Sequence, residues 1–155
     1  MENTNVKSLL EVAEILLTYK SNVKPSLRPK VSASRDAYNI FLENWDSTRI
    51  ELVEQFKVLL LNRAQKALGI FEVSTGSSTG TIAEPKMIFA SAIKANASSI
   101  IIAHNHPSGN LVASQADIAL TRKIKEGGKL LEIHLLDHLI ITTESYFSFA
   151  DEGML

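Results

Sequence analysis

Ile100-Ile-Ile-Ala-His104-Asn-His106-Pro107-Ser-Gly109 is the stretch from which the fold is read. Three consecutive isoleucines after Ser98-Ser99 predict a short strand buried on both faces, of the kind found inside a sheet flanked by helices. Pro107 and Gly109 stop it. Side chains two apart in an extended segment point the same way, so His104 and His106 converge on a point just beyond the strand end, while Asn105 points elsewhere. Downstream, Ser114-Gln-Ala-Asp117 stands before Ile118, Leu120 and Ile124. Its Ser-x-x-acid spacing predicts a helix start with Ser114 as N-cap and Asp117 in the first turn. Two neutral imidazoles and one carboxylate make a three-ligand set for zinc that leaves the fourth position to water, a catalytic rather than a structural layout. The chain has no cysteine, so a thiolate cage is excluded.

Each feature also has a plainer reading. A single histidine is commonly a capped or core residue, and Ser-x-x-Asp before an apolar run is commonly only a helix cap. Their coincidence in one loop between a strand and a helix favours the metal reading.

His-Asn-His-Pro-Ser-Gly followed by Ser-x-x-Asp, with Asp117 eleven positions after His106, resembles the JAMM metal motif of JAB/MPN domains in the wording of the RadC-like family. Glu54 to Asn62, Glu84 to Phe89, Ala92 to Ala97 and Leu135 to Ile140 resemble the same family, so the likeness runs from about Glu51 to the C-terminus. It implies a three-layer αβα architecture with a mixed β-sheet, similar to the cytidine-deaminase-like fold, and one zinc ion per chain on His104, His106 and Asp117. From the residues alone Glu54 is a surface glutamate at a strand end. The resemblance puts the general base, later the general acid, on Glu54 rather than Glu51, and implies that Ser114 donates a hydrogen bond to the developing oxyanion, in competition with its capping role. The activity implied is hydrolysis of a peptide or isopeptide bond in a protein or peptide substrate by water that zinc has made acidic.

Two other classes stand beside it. The family's DNA-repair label points to a metal-dependent phosphodiesterase, although the sequence offers one metal position and no clear basic groove. JAB/MPN folds also include non-catalytic protein-binding modules. A nucleoside deaminase would need the cysteine pair that is absent. The chain departs from its relatives in two places. Lys86 stands where arginine is usual, which exchanges a bidentate anion contact for a point charge. No glycine-rich hairpin marks the helix-hairpin-helix segment that commonly precedes the metal domain, so the expected plan is a short leader, residues 1–33, and a metal domain, residues 34–155.

The composition fits one globular domain: 155 residues, 45% hydrophobic and 21% charged. A net charge of −1 and a pI near 6.4 give no global pull toward nucleic acid or an anionic membrane. The lack of cysteine suits a reducing cytoplasm, and Glu11 and Glu14 interrupt the N-terminal leucines, so neither a signal h-region nor a membrane span is expected there.

In chain order, Leu9, Val12, Ile15 and Leu16 share a face and predict an amphipathic helix from Val6 to Tyr19, docked on the domain or on a second copy in a homodimer. Ser21 to Ser32 reads as a solvated linker, with Pro25, Pro29 and the only basic run. Ser34 is expected to cap a helix reaching Trp45, with Tyr38, Phe41, Leu42 and Trp45 as core. Phe56 to Asn62 and Ala67 to Val73 read as a hairpin. Ser74 to Gly80 can form a mobile rim or a plain surface connection. Pro85 opens a helix to about Asn96 with Ile88, Ala92 and Ile93 inward, and the helix after Ser114 is expected to stop at Gly127-Gly128. Leu130 to Leu136 and Leu139 to Thr142 read as strands broken near Asp137. His134 reads as structural, whereas Asp137 and His138 stay open between orienting a ligating imidazole and a turn role.

Overall fold

The computed structural model describes residues 10–76 and 83–155. The isoleucine run becomes strand β3 (Ser99–Asn105), buried along its whole length. The two runs expected as a hairpin are β1 (Gln55–Leu61) and β2 (Ala67–Thr75), and the sheet is completed by β4 (His134–Ile141) and β5 (Tyr146–Ser148). The strand order is β2-β1-β3-β4-β5, with β3 and β4 parallel and the other pairs antiparallel, which makes the sheet mixed.

Period-2 alternation divides the core into two layers. Leu59, Leu61, Ile101, Ala103, Leu139 and Ile141 face helix α1 (Ser34–Glu43), which buries Ala37, Tyr38 and Phe41 against them, with Trp45 and Ile50 beyond its end. Phe56, Val58, Leu60, Ile100, Ile102 and Leu135 face helix α2 (Pro85–Lys94) and helix α3 (Gln115–Leu130), which contribute Ile88, Phe89, Ala92 and Ile124. The three-layer αβα arrangement with a mixed sheet is therefore the one expected.

Several local expectations are corrected. Ser34 is the first helical residue, not the cap. Asp36 closes the start of α1 by accepting from the backbone N–H groups of Ser32 and Ala33, while the Ser34 hydroxyl donates to Asp151. Ile93 is half exposed and Phe89 takes the inward place. Helix α3 runs through Gly127-Gly128 to Leu130. Its stop is a Schellman motif: Glu132 takes φ 56°, Ile133 N–H donates to Gly128 O at 2.8 Å, and Glu132 N–H donates to Lys129 O at 3.4 Å. The glycines serve close packing instead. A Cβ on Gly128 would stand 2.2 Å from Ile133 O, and one on Gly127 would stand 2.9 Å from the Phe89 ring. Leu130 to Ile133 is thus the helix end and its turn, and the break expected near Asp137 is a bulge within one continuous β4.

The expected helix from Val6 to Tyr19 does not form in its described part. Residues 11–20 carry no regular element, and Val12, Ile15 and Leu16 are 88%, 81% and 70% exposed. An isolated helix of this length is marginal in water without a packed face. Leu9 and the other residues before Leu10 lie outside the described residues, as does the part of the expected rim beyond Gly76. The linker holds a short 3-10 turn at Pro25–Leu27, then pairs Lys30 with Lys66 and buries Val31 in the α1 layer. Among the described residues no helix is long and apolar enough to cross a membrane.

Gly128→Ala is expected to cost about 1–3 kcal/mol through the clash with a backbone oxygen. Gly69→Ala, with nothing within 4 Å of the added Cβ, is expected to leave the melting temperature nearly unchanged. Equal melting temperatures for the two variants would contradict the close-packing account.

Candidate metal centre

His104 ends β3 on its α3 side. Its register partner across β1 is Phe56, whose ring lies parallel to the imidazole at 6.0 Å between centroids. His106 follows just past the strand, held by its backbone N–H donating to Ile141 O at 3.2 Å. Gly109 then turns the chain with φ 79° and donates to His106 O, and this turn brings Asn110 O within 2.5 Å of His106 Nδ1. Only a donated N–H satisfies a contact to a carbonyl oxygen, so His106 carries a proton on Nδ1, and in the neutral ring, the form that binds a metal, Nε2 is then the lone pair.

Helix α3 delivers the carboxylate. Ser114 is the N-cap expected from the sequence: its Oγ accepts from Asp117 N–H at 3.1 Å, and Asp117 Oδ2 accepts from Ser114 N–H at 2.8 Å. The Ser114 hydroxyl proton also goes to Oδ2, at 2.6 Å. One carboxylate oxygen therefore closes the helix end, and the other, Oδ1, stands 3.3 Å from His104 Nε2. His104 Nε2 and His106 Nε2 are 3.0 Å apart. His104, His106 and Asp117 offer ligand atoms that all lie within 4.8 Å of one another. Two imidazole nitrogens and a carboxylate oxygen crowded this closely repel as lone pairs and attract a cation, so this donor set can hold a metal ion.

Electrostatics agree with the ligand state. Burial holds the His104 imidazole down at about 4, with Asp117 opposing and His106 adding to the depression. His138, which has no exposed surface, is pushed well below the ordinary imidazole value, first by burial and then by His104 and His106. Both rings are neutral at pH 7, as imidazole ligands must be.

Glu54 sits immediately before β1, half buried, and lines a cleft of about 300 Å³ together with His106, Pro107, Val112 and Ser114. Glu51 is exposed and accepts instead from the Thr143 hydroxyl at 3.1 Å. A depression of about 510 Å³ lined by Arg63, Ser99, Lys129 and His134 lies at the opposite end of β3, which places His134 away from the centre.

Two side chains that sequence reasoning did not credit, Asn105 and Thr121, and one that it left open, His138, complete the surroundings. Asn105, fully buried on the α1 side, donates to Ile50 O at 2.6 Å and Val53 O at 2.9 Å, and accepts from Gln55 N–H at 2.7 Å. It thereby ties the loop that carries Glu54 to the strand that carries the imidazoles. His138 Nε2 contacts His104 Nδ1 at 2.9 Å, and Thr121 Oγ1 contacts His138 Nδ1 at 2.6 Å. Asp137, an open candidate for orienting a ligand, does not reach the centre. It accepts from Ser148 Oγ at 2.6 Å and from the N–H groups of Ala150 and His138, and burial raises its pKa against those bonds. The bulge is the cause: Ile100 pairs with Leu135 but Ile101 pairs with Asp137, so the extra Leu136 shifts the alternation and turns His138 toward α3.

A family pattern described as a RadC-like JAB domain matches residues 31–154. A UPF0758 protein of Flavobacterium johnsoniae is 38% identical over 150 residues, which is 96% of this chain and 64% of that protein. A UPF0758 protein of Thermosynechococcus vestitus is 47% identical over 107 residues, 69% of this chain and 41% of that one. A UPF0758 protein of Clostridium botulinum is 37% identical over 150 residues, 97% of this chain and 63% of that one. The chain thus spans less than two thirds of the length of these relatives.

The buried imidazoles make stability depend on pH. In the unfolded chain they titrate near 6.5, whereas native His104 takes its proton only near pH 4, so between these values the unfolded state binds more protons and stability rises with pH. It is fully present above about pH 6.5 and is lost as the pH falls toward 4. The melting temperature of chelator-treated protein is therefore expected to drop between pH 7 and pH 5; a flat profile would contradict neutral, buried His104 and His138.

Proposed function

The chain belongs to the RadC-like JAB domain family, and on that premise we propose that it is a zinc-dependent hydrolase acting on a peptide or isopeptide bond of a protein or peptide substrate. The observation that carries the reading is the convergence of His104 Nε2, His106 Nε2 and Asp117 Oδ1, with His106 lining a cleft that is also lined by Glu54, a carboxylate outside the ligand set. A zinc ion held by these three residues would supply Lewis acidity, polarising the scissile carbonyl and lowering the pKa of a water molecule toward 7.

The remaining steps fall to the chain's own residues. Glu54 accepts a proton from the attacking water as its oxygen adds to the carbonyl carbon, then passes that proton to the leaving amine as the C–N bond breaks. Ser114 lines the same cleft, and for its hydroxyl to donate to the oxyanion it must give up its bond to Asp117 Oδ2. Through its three backbone bonds Asn105 ties the main chain on either side of Glu54 to the strand end that carries the imidazoles. Pro107 and Val112 give the cleft an apolar rim against which the flanks of an extended substrate can lie.

Protein purified without chelators is expected to contain about one zinc per chain by plasma mass spectrometry, and His104→Ala and Asp117→Ala are expected to lose it. Glu54→Gln should retain the metal while turnover of a peptide or isopeptide substrate falls by at least the 10²–10⁴-fold typical of a lost general base. Loss of zinc in Glu54→Gln would remove it from the role of base, and no zinc uptake by the wild type would leave a protein-binding module.

A further inference from the structure

His138 and Thr121 lie behind His104, fully or almost fully buried, and the directions of their hydrogen bonds follow from counting protons. Thr121 is helical, and its hydroxyl contacts Asp117 O, four residues back, at 2.6 Å. A carbonyl oxygen only accepts, so the single hydroxyl proton of Thr121 points there. The contact of 2.6 Å between Thr121 Oγ1 and His138 Nδ1 must then carry the histidine's proton, with Nδ1–H donating to the hydroxyl oxygen. A neutral His138 protonated on Nδ1 has a bare Nε2, which accepts from His104 Nδ1–H at 2.9 Å. The His104 proton is thereby held on the side away from Asp117, and its Nε2 faces Asp117 Oδ1 at 3.3 Å and His106 Nε2 at 3.0 Å as a lone pair. Stacking of His138 on Phe149, with ring centroids at 4.7 Å and planes at 10°, fixes the plane in which these two ring nitrogens lie.

We propose that Thr121 and His138 are positioning residues, and that the buried chain Thr121–His138–His104 sets His104 as the Nδ1–H tautomer and presents Nε2 for coordination before any ion arrives. The chain starts on the backbone carbonyl of Asp117, whose side chain supplies the third ligand, so the orientation of His104 and the placement of Asp117 are set by one turn of α3. The inference rests on the metal-binding reading given above, but its first measurement needs no metal. Orientation of a ligating imidazole through its other nitrogen is a general device, here made with a second histidine and a threonine in place of the usual carboxylate or carbonyl.

The test uses the full chain labelled with ¹⁵N-histidine and freed of metal, read by long-range ¹H–¹⁵N correlation at pH 7.5. His104 and His138 are both expected as Nδ1–H tautomers; His104 as Nε2–H, or as an average of the two, overturns the proposal. Thr121→Val removes the acceptor of the His138 proton. It is expected to move His138 and then His104 to the Nε2–H form and to weaken zinc binding on the order of 10–100-fold, while Thr121→Ser keeps both wild-type tautomers and wild-type affinity. Unchanged tautomers and affinity in a folded Thr121→Val variant would also overturn it. Should that variant fail to fold, the wild-type spectrum and the Thr121→Ser affinity decide. A wild type that shows the expected tautomers yet takes up no zinc would leave the hydrogen-bond chain standing and remove the metal-binding reading instead.

Discussion

Successive side chains of β3 leave the sheet on opposite faces, and most of the molecule depends on that pleat. Ile100 and Ile102 enter the layer beneath α2 and α3, whereas Ile101 and Ala103 enter the layer beneath α1. The alternation does not stop where the apolar residues stop. His104 continues the first row and meets α3, and Asn105 continues the second and meets the loop before β1. The candidate metal centre is thus the polar end of a hydrophobic core whose phase was set four residues earlier. A one-residue slip of β3 would exchange an imidazole for an amide on the α3 face and dismantle both layers together.

Strand β4 solves a different problem. Its parallel pairing with β3 gives His106 a backbone partner in Ile141 beyond the last strand residue, so the second imidazole is held by the sheet even though it lies in a loop. Its bulge at Leu136 is what sends His138 rather than Asp137 toward the centre. Asp137 is left to bind the β5 turn through Ser148 and Ala150. Two adjacent polar residues thereby divide the work, one buttressing the imidazoles and the other fastening the C-terminal strand, and a single extra residue decides which does which.

Much of this was legible in the sequence because it rests on short-range rules. The isoleucine run, the alternating histidines and the Ser114 capping box each state their geometry within a few residues, and the hairpin and both later helices start where their signals stand. What was missed depends on partners distant in sequence. Gly127-Gly128 reads as a helix stop, but Ile133 O and Phe89 press on α3 there, and the left-handed positions that end α2 and α3 fall on Asn96 and Glu132. The bulge that selects His138 has no signature of its own, since Leu135-Leu136-Asp137 is an ordinary strand sequence until it is paired with Ile100 and Ile101. The N-terminal apolar stripe satisfied helical periodicity, yet among the described residues no surface covers it, and periodicity without a docking face does not make a helix.

The amide of Asn105 gives both its N–H donors to the main chain of residues 50–55 and accepts one bond from it. A tether made to backbone atoms cannot be released by a rotamer change in the segment it holds. The loop bearing Glu54 and the strand end bearing the imidazoles are therefore fastened to each other through the interior: shifting one against the other breaks buried bonds to main-chain atoms, whereas shifting both together breaks none of them. Precision at such a centre rests on its parts being joined to one another rather than on each being fixed separately.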